Sequence, residues 1–292
     1  RDSNSSWMPD SHRLSFNNLQ TDDRLSGPLI KKDGKHLQSS WMEATANAAK
    51  GLGMRQSDEV AIIASGRLSN EELYLTKKIA IALGTELIAT VPRVGESDGK
   101  LISADRNPNT TGASLIWDTS EPSEKLDAIR EGVSSGRIKA LIVLSEDLLE
   151  EAGFDSTDLE KLDHLVVSHT HANPTASHAN VVFSGAGFAE KRATYVNVTG
   201  RLQRANQAVI APGDSRDDWE TLAALLSQLD ENYSPPASMD AVLNQISSEV
   251  DKFKGQTFGS IGDLGIQITE TGVSIPLLEQ EKARVESGQI VG

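Results

Sequence analysis

Five short runs decide what this chain can fold into: EVAIIAS (59–65), ELIATV (86–91), KALIVLS (139–145), DHLVVSH (163–169) and ANVVFSG (179–185). Each has the length of a strand, and in most of them apolar residues follow one another without alternation. A strand that is apolar on both faces must be covered on both faces, the condition of a central strand in a parallel sheet. The stretches between them supply the cover. EELYLTKKIAIALG sets Leu73, Leu75, Ile79, Ala80, Ala82 and Leu83 at roughly helical spacing. Ser69 and Glu72 predict a capping box at its start, and Gly84 predicts its end. Together with the runs on either side, this helix makes a β-α-β unit. EKLDAIREGVSSGR and DLLEEAG read as further helices. The alternation predicts an α/β fold with one open, mostly parallel sheet and helices on both faces.

The flanks read differently. Residues 1–27 are polar and predict an extended N-terminal arm. PLIKKDGKHLQSS predicts a hairpin turning at Asp33-Gly34, and Ser40 opens a helix, WMEATANAAKGL, stopped by Gly51 or Gly53. Residues 92–124 read as a long irregular connection. After Gly187, FAEKRATYVNVTGRLQRANQAVI predicts strand, loop and strand, followed by two helices, DDWETLAALLSQL and MDAVLNQISSEVDKF, on either side of a Pro235-Pro236 loop. The expected organisation is the arm (1–27), an α/β domain (28–234), and a C-terminal helix with its extension (235–292) packed on that domain.

Composition removes several functions. With 42 acidic against 28 basic residues, net charge −14, the chain lacks the basic surface that nucleic acid or an anionic membrane demands. No apolar run approaches the roughly 20 residues of a membrane span. The absence of cysteine excludes disulfides, thiol catalysis and Cys-ligated metal clusters in this chain. His164, His169, His171 and His178 lie close in sequence, and His169 and His171 share a strand face if the strand continues; without interleaved acids they read as loop histidines at the sheet edge. The turn SGRLSNEE has one glycine, too few for a dinucleotide fingerprint. Asn4, Asn109 and Asn197 begin glycosylation tripeptides of a kind that arises often by chance.

One pattern goes further. Phe188-Ala189-Glu190-Lys191, Thr194, Val196-Asn197, Gly200-Arg201 and Gln203, then Asp218-Trp219, resemble the late segment of the molybdopterin oxidoreductase superfamily. Asp23-Arg24-Leu25, Pro28-Leu29, Asp33-Gly34 and Trp41-x-Glu43-Ala44 resemble its opening segment. WMPDSHRLSF and DRNPNTTGA look like the large iron–sulfur subunit of bacterial respiratory complex I and its NAD-linked hydrogenase relatives.

Where that branch places a cluster-ligating cysteine, this chain has Pro9. The branch also inserts a second α/β domain between the β-α-β unit and KALIVLS, where this chain has only the connection 92–124. The resemblance therefore implies no catalytic, cofactor or metal residue here, with iron–sulfur ligands absent and no molybdopterin expected. It implies structural or docking roles for Glu190, Asn197, Gly200 and Arg201, the last anchoring a loop through carbonyls or carboxylates. The expected function is a non-catalytic docking subunit of an electron-transfer oxidoreductase resembling complex I. Its partners would be the protein subunits of a redox complex. It would be cytoplasmic, reaching the inner face of the membrane only through those partners. Two alternatives stay open: part of a molybdopterin-dependent enzyme whose cofactor and cluster domains lie elsewhere, or a stand-alone small-ligand binding module at the sheet's C-terminal edge.

Overall fold

The structure is a computed structural model and describes residue 8, residues 13–19 and residues 21–289. Most of the predicted arm before Arg13, including Trp7, Pro9 and the Asn4 tripeptide, lies outside the described residues. After a turn of 3-10 helix (Ser15–Leu19), the chain forms a hairpin of β1 (Leu29–Lys32) and β2 (Lys35–Gln38). Its turn places Asp33 and Gly34 at φ 51° and 75°, the left-handed pair that a two-residue hairpin requires. Then come α1 (Trp41–Gly53), β3 (Val60–Ser65), α2 (Asn70–Leu83), β4 (Ile88–Val91), α3 (Thr110–Trp117) and α4 (Leu126–Ser134). The middle of the chain adds β5 (Ala140–Leu144), α5 (Leu148–Glu151), α6 (Ser156–Leu159), β6 (His164–His169), α7 (Pro174–His178) and β7 (Val181–Ser184). The rest comprises β8 (Ala193–Val196), β9 (Arg201–Ala205), α8 (Asp218–Leu229), α9 (Met239–Glu249), α10 (Phe258–Ile261), β10 (Ile266–Gln267) and α11 (Pro276–Glu286).

Seven strands form one sheet in the order β2-β1-β7-β6-β5-β3-β4, and the five from β7 to β4 run parallel. The opening hairpin joins antiparallel at β7. Strand alternation sorts the apolar runs onto two faces. Ile62, Ala64, Ile142 and Val166 face α1, α2 and α8, whereas Ala61, Ile63, Leu141, Val143 and Val167 face α4, α5 and α6. The predicted α/β class, with helices on both faces, is the architecture found. A second, antiparallel sheet in the order β10-β9-β8 carries the segment after Gly187. Helix α9, Phe253 and Phe258 continue the core beneath α1, α2 and α8.

Local signals explain most element ends. Ser40 Oγ accepts the Glu43 amide at 3.2 Å, Ser69 and Glu72 close a reciprocal capping box, and Gly84 ends α2 at φ 69°. Elsewhere the structure corrects the reading. The connection 92–124 is not wholly irregular, because it contains α3, which buries Ala113 and Ile116 against α2. Pro174 starts α7, where a missing amide costs nothing. The tail holds two helices as well as a short strand. His169 and His171 do not share a strand face, since β6 ends at His169.

Gly51 does not stop α1. The helix runs on to Gly53, and a Cβ on Gly51 would sit 2.3 Å from the His164 ring. The glycine is there so that α1 can lie against the start of β6. Gly51→Ala is expected to cost about 1–3 kcal/mol through overpacking, measured as a lower urea midpoint with unchanged m-value.

Candidate functional site

The first three residues of α2, Asn70, Glu71 and Glu72, are polar yet wholly buried. Burying such groups requires partners for each. Glu72 Oε2 accepts the Ser69 amide at 2.8 Å, and its Oε1 receives Lys191 Nζ at 2.5 Å. Lys191 lies 3.7 Å from Asp218 Oδ2, and Asp218 Oδ1 accepts Ser168 Oγ at 2.5 Å. Glu71 takes the Thr194 amide at 3.0 Å and the Thr194 hydroxyl at 2.7 Å. Asn70 Nδ2 donates to Thr194 Oγ1 at 3.0 Å, and Asn109 Nδ2 donates to Asn70 Oδ1 at 3.1 Å. Asn109 Oδ1 in turn accepts the Val196 amide at 2.7 Å. This polar seam ties α2, α8, β6, the loop before α3 and the small sheet together. Gly112 keeps it possible, because a Cβ there would lie 2.2 Å from Asn109 Oδ1. With both amide atoms engaged and no exposure, Asn109 has no room for a glycan.

The seam sets its own protonation. Burial pushes the Glu71 carboxyl up to about 7, against the Thr194 hydrogen bonds. Burial pushes Asp218 up to about 6, with Lys191 pulling the other way. For Lys191, burial works against the charge, but the Glu72 carboxylate and its neighbours reverse this and raise the ammonium above its ordinary value.

A second constellation sits at the C-terminal ends of the parallel strands. β3 lies between β4 and β5. Its next strand, β4, lies on one side, and the chain then crosses to β5 on the other, so the crevice between the ends of β3 and β5 is where such sheets hold ligands. Here the chain fills that crevice itself. A Cβ on Gly66 would meet the Asn107 side chain at 2.6 Å. Arg93 Nη1 donates to Glu146 Oε1 at 2.8 Å and to Asn107 Oδ1 at 3.2 Å, and its Nη2 reaches both Glu146 and Glu151. Arg67 pairs with Glu151 at 3.5 Å from the open side. Ser145, just before Glu146, adopts φ 57°, a left-handed conformation that aims the buried carboxylate inward. Burial raises Glu146 to about 7, opposed by Arg93. Glu151 is also penalised by burial, but its hydrogen bond to Glu146 and the two arginines bring it below its ordinary value. Burial lowers His169 at the same edge.

The residues expected from sequence serve two separate contacts. Glu190 Oε2 accepts Arg24 Nη2 and the Gly187 amide, each at 2.6 Å, fastening the segment before β1 to the body. Asn197 Oδ1 accepts the Thr199 amide, the Thr199 hydroxyl and the Arg201 amide, closing the β8–β9 turn. Gly200 has φ 84°, and a Cβ there would lie 2.1 Å from the Thr269 carbonyl. Arg201 Nη1 donates to the carbonyls of Leu264 at 3.0 Å and Gly265 at 3.3 Å. Sequence reasoning missed Arg93, Glu146 and Glu151. The available signal was an acid placed directly after the fully apolar run KALIVLS, at the end of a parallel strand. The histidines form no metal cluster: among the described residues no group of three His, Cys, Asp or Glu side chains is placed to hold an ion.

The sequence profile of the Molybdopterin oxidoreductase family matches residues 24–117 and 95–228. The chain belongs to that family. A subunit of the NADH-quinone oxidoreductase of Shewanella oneidensis is 32% identical over 237 residues, covering 77% of this chain and 24% of that protein. The alpha subunit of NADPH-Fe(3+) oxidoreductase from Geobacter sulfurreducens is 34% identical over 142 residues, 46% of this chain and 16% of that one. The chain thus spans no more than 24% of the length of these two relatives. Acetylene hydratase from Pelobacter acetylenicus aligns with TM-score 0.39 and 16% identity over 48% of this chain and 20% of that chain.

The family name raises the question of a pterin cofactor at the crevice. The donors at this crevice are engaged within the chain. The crevice wall is the carboxylate pair Glu146 and Glu151, and the Arg93 donors are taken up by it and Asn107. The first turn of α2, the other feature suited to a phosphate, is capped by Ser69 and Glu72 and faces buried carboxylates.

Two measurements test the seam. Lys191→Met leaves Glu72 and Asp218 without their counter-charge and is expected to cost about 3–5 kcal/mol in urea unfolding. The raised acids set the sign of the pH dependence. A carboxyl whose folded pKa lies above its unfolded one stabilises below the unfolded pKa, and that stabilisation is lost as pH rises through the folded value. Glu71 moves from 4.5 to about 7 and Asp218 from 3.8 to about 6, so stability is expected to fall between about pH 4 and pH 7. The fall should be about 2 kcal/mol or more, and Glu71→Gln should reduce it.

Proposed function

We propose that this chain is a non-catalytic docking subunit of an electron-transfer oxidoreductase of the NADH-quinone oxidoreductase kind, holding no molybdenum, tungsten or iron–sulfur group of its own. The observation that carries this reading is the crevice between β3 and β5, filled by Arg93, Asn107 and Glu146. The position at which an open parallel sheet takes a ligand is spent here on internal contacts. Two relatives that are themselves named as subunits of oxidoreductases support the same reading. Among the described residues no helix is long and apolar enough to cross a membrane. On the docking reading, any association with a membrane comes through partner subunits on its cytoplasmic side.

On this reading Glu190 fixes the segment that leads into the domain. Asn197, Gly200 and Arg201 fix the small sheet that presents the C-terminal extension. Function lies in surfaces held at set positions rather than in reacting groups.

Affinity purification from the native host, followed by metal analysis, tests this. Redox subunits should co-elute in stoichiometric amount, and clusters should remain with them when this chain is stripped away. Capture without a redox subunit would count against the reading. Molybdenum or tungsten near one atom per chain would replace it with that of a molybdopterin-enzyme fragment. Arg201→Ala should lower stability by about 1 kcal/mol, the worth of its carbonyl contacts, and should weaken co-elution; if neither changes, Arg201 has no such role.

A further inference from the structure

The segment 92–109 leaves the edge strand β4, crosses the end of β3 and enters α3. Asn107 and Asn109 are buried in it, and none of its apolar side chains is. Val94 is 79% exposed. Polar contacts hold the segment down: Arg93 on Glu146 and Glu151, Asn107 Nδ2 on the Val91 carbonyl at 3.0 Å, and the Asn109 amide on the Gly66 carbonyl at 3.0 Å. At its far end the Leu277 amide donates to the Lys100 carbonyl at 3.3 Å. Between these points it folds on itself. Val94 bridges Asp105, the Gly95 amide donates to Ala104, and the Asp98 carboxylate accepts the amides of Lys100, Leu101 and Ile102.

Leu101 and Ile102 are half-buried and the other apolar side chains of the segment are exposed, so the hydrophobic penalty for lifting is small and the polar contacts set most of the cost. The chief of these is Arg93. Its guanidinium lies against one fully buried carboxylate and one at the rim, with an amide oxygen beside it. Two carboxylates and a planar acceptor set are the complement of a guanidinium rather than of an ammonium. Arg67 stands outside on Glu151, and His169 borders the crevice from β6. The chain as a whole carries net charge −14, which favours a partner with basic side chains.

We propose that segment 92–107, moving about Asn109, which the buried seam holds in place, is a lid and that Arg93 is the internal occupant of a guanidinium site formed by Glu146 and Glu151, a site that an arginine of a docked subunit fills in its place. The identity of the incoming group rests on the docking reading; the lid and the site rest on geometry alone.

Hydrogen exchange on Arg93→Gln and on the double variant Arg93→Gln/Glu146→Gln tests it, with and without millimolar N-acetyl-arginine amide. In Arg93→Gln, the amides of Gly95 and Arg106 should exchange at least about tenfold faster, while Asn109, β3 and β5 keep their protection. N-acetyl-arginine amide should restore that protection and raise Tm, and the lysine analogue should not. The double variant should be open and unresponsive. Unchanged exchange in Arg93→Gln, or loss spreading through β3 and β5, would overturn the lid. Absence of rescue would overturn the guanidinium site. If Arg93→Gln does not fold, Glu146→Gln serves instead, with faster exchange confined to the segment expected and unchanged exchange overturning the lid. No partner is present in this assay, so its failure leaves the docking reading to co-purification.

Discussion

Lys191 stands between Glu72 and Asp218, and the assembly of the layers depends on that charge being there. Glu71 and Glu72 lie in the first turn of α2, and Asp218 is the first residue of α8. Two helix N-termini, each favouring negative charge, therefore meet at one buried point. Lys191 supplies the compensating charge from the segment that leads into the small sheet. Glycine makes the meeting possible, since a Cβ on Gly185 would come within 2.7 Å of the Asp218 carboxylate. The seam specifies position more than it adds stability, as buried ion pairs often do. Apolar packing alone would let the small sheet slide; a carboxylate with two oxygens on one threonine would not.

Family membership settles the scaffold and leaves activity to particular residues. The same parallel sheet that offers a ligand position elsewhere offers here a crevice already occupied. What occupies the end of the sheet is local: an arginine beyond β4, a glutamate beyond β5, and a left-handed serine that turns the glutamate inward. None of these alters the fold. Each changes what the end of the sheet can accept.

The layers were legible because they rest on patterns that act over a few residues. Continuous apolar runs gave the central strands, Ser69 and Glu72 the start of α2, and Asp33-Gly34 the hairpin. The order of loose motifs around Glu190, Asn197 and Arg201 was enough to reach the family. What stayed hidden depends on contacts distant in sequence. Helix α3 is short, and its Asn109 cap makes no side-chain bond within the helix; its amide is spent on Leu68, Asn70 and Val196 instead. Gly51 looked like a stop because its true neighbour, His164, is more than a hundred positions away. Arg93 and Glu146 carry no motif, and only the strand order brings them together.

The two ends of the segment crossing β3 lie side by side, with the Arg106 amide on the Arg93 carbonyl at 2.9 Å. Polypeptide can therefore be spliced in or cut out between them without moving either anchor or exposing any core. Closing a longer loop there adds only about 0.6 kcal/mol for each doubling of its length. This is also the stretch where the resemblance to the large iron–sulfur subunits implies a whole additional domain. The fold thus contains a socket for modular growth, set on the rim of its own ligand crevice, and gain or loss of a domain at that point would change what the crevice meets while leaving the scaffold intact.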